Sequence, residues 1–119
     1  MKPASKKAKG ARLEREVAAM IRHKGLDPDC SRMPLSGAFS HLPEDVFTRL
    51  PIHIECKNQE VIKLWNWWNI LRDKTKFGKE PVLVISGNHR PIIAIVKIEY
   101  LLNLLKVEQD YLKEINGSG

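Results

Sequence analysis

The sequence predicts an α/β fold, a mixed β-sheet flanked by helices, and three observations point to it. Apolar residues recur at helical spacing in three separate stretches, near residues 10–24, 64–77 and 98–115. Short β-branched runs stand between them, at 52–57, 82–86 and 92–96. The resulting order is α, β-rich, α, ββ, α without an internal repeat, which suits a sheet with helices packed on it. At 119 residues and 43% hydrophobic content the chain predicts one compact domain with a core of its own.

Residues 1–9 are rich in Lys, Ala, Pro and Ser without apolar period, and are expected to be a flexible basic arm. From residue 10 to 24, Leu13, Val17, Met20 and Ile21 fall on one helical face, and Gly25 stops the helix. Residues 29–33 suit a short strand before the turn chemistry of Pro34-Leu35-Ser36-Gly37. Residues 46–49 and 52–57 read as a hairpin bent at Leu50-Pro51. The stretch 64–77 is helical, with Gly78 expected to end it. Two β-branched runs, 82–86 and 92–96, are joined through Gly87-Asn88-His89-Arg90-Pro91 as a second hairpin. Helix over 98–105 and a further piece over 108–115 close a single domain of residues 10–115, and 116–119 is expected to fray.

Composition narrows the function classes. No apolar run approaches membrane-spanning length and no apolar leader is expected, so no membrane partner is. Two cysteines, Cys30 and Cys56, are too few for a disulfide or zinc framework, and a reducing cytoplasm is expected. The formal charge is +6, and residues 1–25 carry the whole excess, with eight Lys/Arg against Glu14 and Glu16. Such a block, Lys6, Lys7 and Lys9 included, suits a polyanion, because each neutralised phosphate releases counterions. A solvated tail that only aids solubility is the plainer reading.

The residues that point to chemistry lie between 44 and 57. On a strand, side chains alternate between faces, so Glu55 and Lys57 project together while Cys56 points the other way. A hairpin that folds Asp45 back beside Glu55 gathers two carboxylates and an ammonium at one point. Oxygen ligands of that kind suit a hard cation such as Mg²⁺, with Mn²⁺ as a substitute. A lysine beside it can hold a water for attack on phosphorus, the minimal apparatus of a metal-dependent phosphodiesterase. Glu44 competes with Asp45 for the acidic role, and Asp45 is also typical turn chemistry. Glu55 sits in an apolar run, where a carboxylate is costly unless paired or metal-bound; an exposed edge-strand ion pair with Lys57 is the alternative. His53 shares strand parity with Glu55, but neither it nor His41 has a second histidine at ligand spacing, and both are expected to be non-catalytic.

Taken in order, Lys9-Gly10-X-X-X-Glu14-Arg15, Arg32-X-X-X-Ser36-Gly37, Asp45 and Glu55-X-Lys57 resemble the archaeal-type Holliday-junction resolvases of the PD-(D/E)XK nuclease superfamily. The resemblance implies a restriction-endonuclease-like fold and an endodeoxyribonuclease that resolves four-way DNA junctions as a homodimer. It implies that Glu14, Asp45 and Glu55 hold Mg²⁺ with the backbone carbonyl of Cys56, and that Lys57 assists the water. It also implies that Arg32 and Ser36 engage DNA near the cut, while Arg15 is either a phosphate contact or a solvated neighbour. The tryptophan-rich segment Trp65, Trp67, Trp68 looks more like phage relatives, which would place the protein in a host cytoplasm. Trp65 and Trp68 share a helical face and are expected to serve a subunit interface or the core rather than to stack on bases. Two other readings stand beside this one: a nuclease of the same superfamily acting on other branched or duplex DNA, and a non-catalytic basic DNA-binding module.

Overall fold

The computed structural model describes residues 6–33 and 45–117. Three helices and five strands follow in the order α1 (Lys6–His23), β1 (Ser31–Arg32), β2 (Val46–Phe47), β3 (Ile52–Asn58), α2 (Leu64–Lys74), β4 (Glu80–Ser86), β5 (Ile93–Ile95) and α3 (Ile98–Gly117). The strands form one sheet in the order β1-β2-β3-β4-β5. Only β3 and β4 run parallel; the other neighbours are antiparallel. The parallel pair needs a crossover, and α2 supplies it. This is the expected α/β architecture, a mixed sheet with helices on it.

Strand parity sorts the core into two layers. Ile54 and Cys56 of β3, with Val82 and Val84 of β4, face α1 and pack on Leu13, Val17 and Ala18. On the opposite face, Leu83 lies beneath Trp67 and Leu71 of α2. Because β3 is central and covered on both sides, its residues from His53 to Cys56 are all buried, polar ones included. Placing Glu55 on an exposed edge strand is thereby excluded.

Turns lock these layers together. After α1, Gly25 takes a positive φ of 74°, a conformation glycine adopts without a Cβ clash. Arg22 Nη1 then donates to the carbonyl of Cys30 at 2.6 Å, tying the end of α1 to the approach of β1. Asp27 is buried, and its carboxylate accepts from the Thr48 hydroxyl, the Arg49 N–H and the Asp29 N–H at 2.8, 2.8 and 3.0 Å. One side chain therefore fastens the turn after α1 to the turn between β2 and β3.

The helix boundaries differ most from the sequence reading. Helix α1 begins at Lys6 rather than at residue 10, so residues 6–9 are helical and not part of a flexible arm. Lysine and alanine are good helix formers even without apolar period. Helix α2 ends at Lys74, where Thr75 turns extended and its hydroxyl caps the Leu71 carbonyl at 2.7 Å, ahead of Gly78. Helix α3 is continuous from Ile98 to Gly117, so residues 116 and 117 are helical rather than frayed.

Candidate active site

Asp45 immediately precedes β2, and its backbone is held from both sides. Its N–H donates to the Ile54 carbonyl at 3.2 Å, and its carbonyl accepts the Met33 N–H at 3.0 Å. That grip aims the side chain across the hairpin, where Oδ2 accepts the Cys56 N–H at 2.9 Å. The carboxyls of Asp45 and Glu55 line one cleft, and each shifts the other's ionisation. The juxtaposition expected of positions 45 and 55 is present. A residue in extended conformation sends its N–H and C=O the same way, so the Cys56 carbonyl is directed to the same side of the strand.

Around this pair opens a cleft of about 420 Å³, lined by Glu14, Arg32, Asp45, Glu55, Lys57 and Lys74 together with Gly10, Cys56, Asn58 and Gln59. Glu14 reaches it from α1 and is buried. Its Oε2 accepts from Arg32 Nε at 2.7 Å, so these two residues neutralise each other. Burial raises the Glu14 carboxyl above its ordinary range despite the hydrogen bond and charge of Arg32. Lys57 lies half-buried, with Nζ 5.7 Å from the centre of the Trp67 ring, close enough for a cation–π contact. The Cys56 side chain turns into the α1 layer, where burial pushes its thiol well up and keeps it protonated.

The two central acids are driven apart electrostatically. Burial pushes the Asp45 carboxyl up, reinforced by the neighbouring Glu55. Burial also opposes ionisation of Glu55, but the neighbouring His53, Asp45 and Lys74 outweigh it and hold that carboxyl low. Lys74 Nζ forms an ion pair with Glu55 Oε1, and His53 Nε2 stands 3.6 Å from the same oxygen. Two carboxyls brought together in a partly desolvated cleft favour a shared proton or a cation between them. That preference, with a backbone carbonyl aimed to the same side, fits a small hard cation that takes one or two carboxylates and keeps its waters. Among the described residues no group of three or more His, Cys, Asp or Glu side chains is spaced to hold one ion. The fit therefore rests on Asp45, Glu55 and the Cys56 carbonyl, with Glu14 engaged by Arg32.

The remaining sequence candidates are dispersed. Lys9 is half-buried and donates from Nζ to Asn88 Oδ1 at 3.4 Å, while Arg15 is exposed. Lys6 and Lys7 begin α1, but their side chains, like Ser36, Glu44 and His41, lie outside the described residues. Trp67 is the core tryptophan, Trp68 is half-buried and Trp65 is 72% exposed.

Three cleft residues escaped the sequence reading: Lys74, Asn58 and Gln59. For Lys74 a signal existed. It follows Trp67 and Leu71 at helical spacing, so it lies on the sheet-facing side of α2, an unusual place for a lysine. Asn58 and Gln59 simply continue β3 past Lys57, and their types alone carry no comparable signal.

Comparison with known proteins adds one finding. A family model described as phage putative PDDEXK endonuclease matches residues 5–116. No curated protein and no solved structure matches the chain.

Proposed function

Because the chain belongs to the phage putative PDDEXK endonuclease family, we propose that it cuts DNA by Mg²⁺-assisted hydrolysis at the Asp45–Glu55 cleft. The convergence of half-buried Asp45 and buried Glu55 on one cleft beside Lys57 carries the reading. Asp45, Glu55 and the Cys56 carbonyl would hold the ion. When bound, Mg²⁺ supplies positive charge to the phosphate oxygens and to the departing oxygen.

The chain's own groups do the rest. Lys57, steadied over Trp67, holds the attacking water in line with the phosphorus. The water oxygen joins phosphorus, one P–O ester bond breaks, and the departing oxygen takes up a proton. Lys74 keeps Glu55 ionised and fixed in direction. Arg32 holds Glu14 at the cleft wall. The basic face of α1, with Arg15 exposed on it, attracts the phosphate backbone.

For the substrate we favour a four-way junction, supported by the motif order shared with junction resolvases. A two-fold dimer would present two identical cutting sites to such a substrate. The test uses a mobile four-way junction and a linear duplex built from the same arms. Cleavage should require Mg²⁺ or Mn²⁺, cease with a chelator, and fall about a hundredfold or more in Asp45→Asn and Glu55→Gln. Equal rates on both DNAs would remove the junction assignment and leave a nuclease for other DNA. Tight junction binding with no cleavage by the parent protein would leave only a binding module.

A further inference from the structure

Helix α3 stands outside both cores. None of its side chains is buried, yet Ile98, Leu101, Leu102, Leu105 and Leu112 expose 42–67% of their surface along one side. Its polar side is closed by the Lys106–Asp110 pair at 2.9 Å. The molecule measures 60 × 33 × 29 Å, and a helix of this length accounts for about 30 Å of the long dimension. A lone helix of this size is marginal in water, so its apolar side calls for a cover.

A matching vacancy lies on the sheet. Trp67 and Leu71 cover Leu83, but the next cross-strand pair, Ile85 and Ile93, is left partly open. With Ile62 and Pro91 it lines a groove of about 280 Å³ whose charged lining residue is Arg90. The apolar side of α3 likewise contains one acid: Glu108 lies one turn from both Leu104 and Leu112. Only Val96 and Lys97 separate β5 from α3, a link too short to fold the helix back freely. A standard interface takes about 800 Å² per partner, and the half-exposed apolar side chains of α3 supply an area of that order.

We propose that two copies of this chain exchange α3, each helix lying in the other's groove with Glu108 against Arg90. The arrangement is self-complementary and closes after two copies, so each helix and each groove is covered once. It would hold whether or not the protein cuts DNA.

Sedimentation velocity on the full chain tests it. The parent protein should be dimeric at micromolar concentration. Glu108→Arg and Arg90→Glu should each raise the dimer dissociation constant about tenfold or more, and the two together should restore it. Circular dichroism of each variant confirms that the fold is kept. In a chain carrying both Arg90→Cys and Glu108→Cys, oxidation should give a covalent dimer, since Cys30 and Cys56 are buried. A monomeric parent, a dimer indifferent to both reversals, or a cross-link confined within one chain would each overturn the proposal.

Discussion

A single carboxylate, that of Asp27, does more for the fold than its place in a surface turn suggests. It accepts two backbone N–H groups and the Thr48 hydroxyl, and these bonds, that of Arg49 foremost, hold its carboxyl below the ordinary range. A depressed carboxyl contributes stability above its unfolded value, near pH 4, and loses it as pH falls through the folded one. Asp27→Asn should therefore lower the melting temperature by several degrees at neutral pH. The gap from the parent should narrow below about pH 4, as thermal unfolding across a pH series would show. Lys74 is a second residue whose worth is pairwise. Lys74→Met leaves Glu55 buried with one partner fewer, a loss of about 1–3 kcal/mol. Adding Glu55→Gln should recover part of it, which a double-mutant cycle in urea would measure. The acids themselves were legible from local spacing, because a hairpin brings positions ten apart together. Lys74 came to the cleft through the crossover between β3 and β4, and the Glu14–Arg32 pair through packing of α1 on β1. The Glu14–Arg32 approach leaves no spacing in the sequence, and that of Lys74 leaves only its helical spacing from Trp67 and Leu71.

At the scale of elements, β3 shows why alternation was readable and burial was not. Its parity places Cys56 in one layer and Glu55 with Lys57 towards the other, as a strand must. Its central position, set by the parallel partner β4, is what buries His53 and Glu55. Helix boundaries went astray where period was weighed alone. Nothing between Leu105 and Glu108 breaks a helix, and the Lys106–Asp110 pair bridges the presumed gap. The two layers also differ in tolerance. Leu71 is buried against Trp67 and Leu83, so Leu71→Ala should cost about 2–5 kcal/mol in denaturant unfolding. The same change at Leu104, 50% exposed, should cost far less in the isolated protomer. A larger effect that grows with protein concentration and fades on dilution would report the helix exchange.

For the molecule as a whole, charge and shape act together. The net charge of +6 is gathered near α1, beside the cleft rather than spread evenly. DNA affinity should therefore fall steeply with salt, log K declining linearly against log salt concentration. Arg15→Ala should flatten that slope by about one unit in filter-binding or fluorescence titrations. Glu55→Gln should leave the slope unchanged while abolishing cleavage, which separates attraction from chemistry. Among the described residues no helix is long and apolar enough to cross a membrane.

The bond from the Met33 amide to the Asp45 carbonyl has a further bearing on how this scaffold can vary. It brings both ends of the intervening stretch to one place, next to the acid that starts β2. Lengthening or shortening that stretch alters closure entropy only slowly and leaves strand register untouched. Variants with new sequences grafted between those anchors should keep the sheet intact, which circular dichroism and thermal unfolding would check. Two fixed anchors thus let the length of one segment vary without disturbing the sheet.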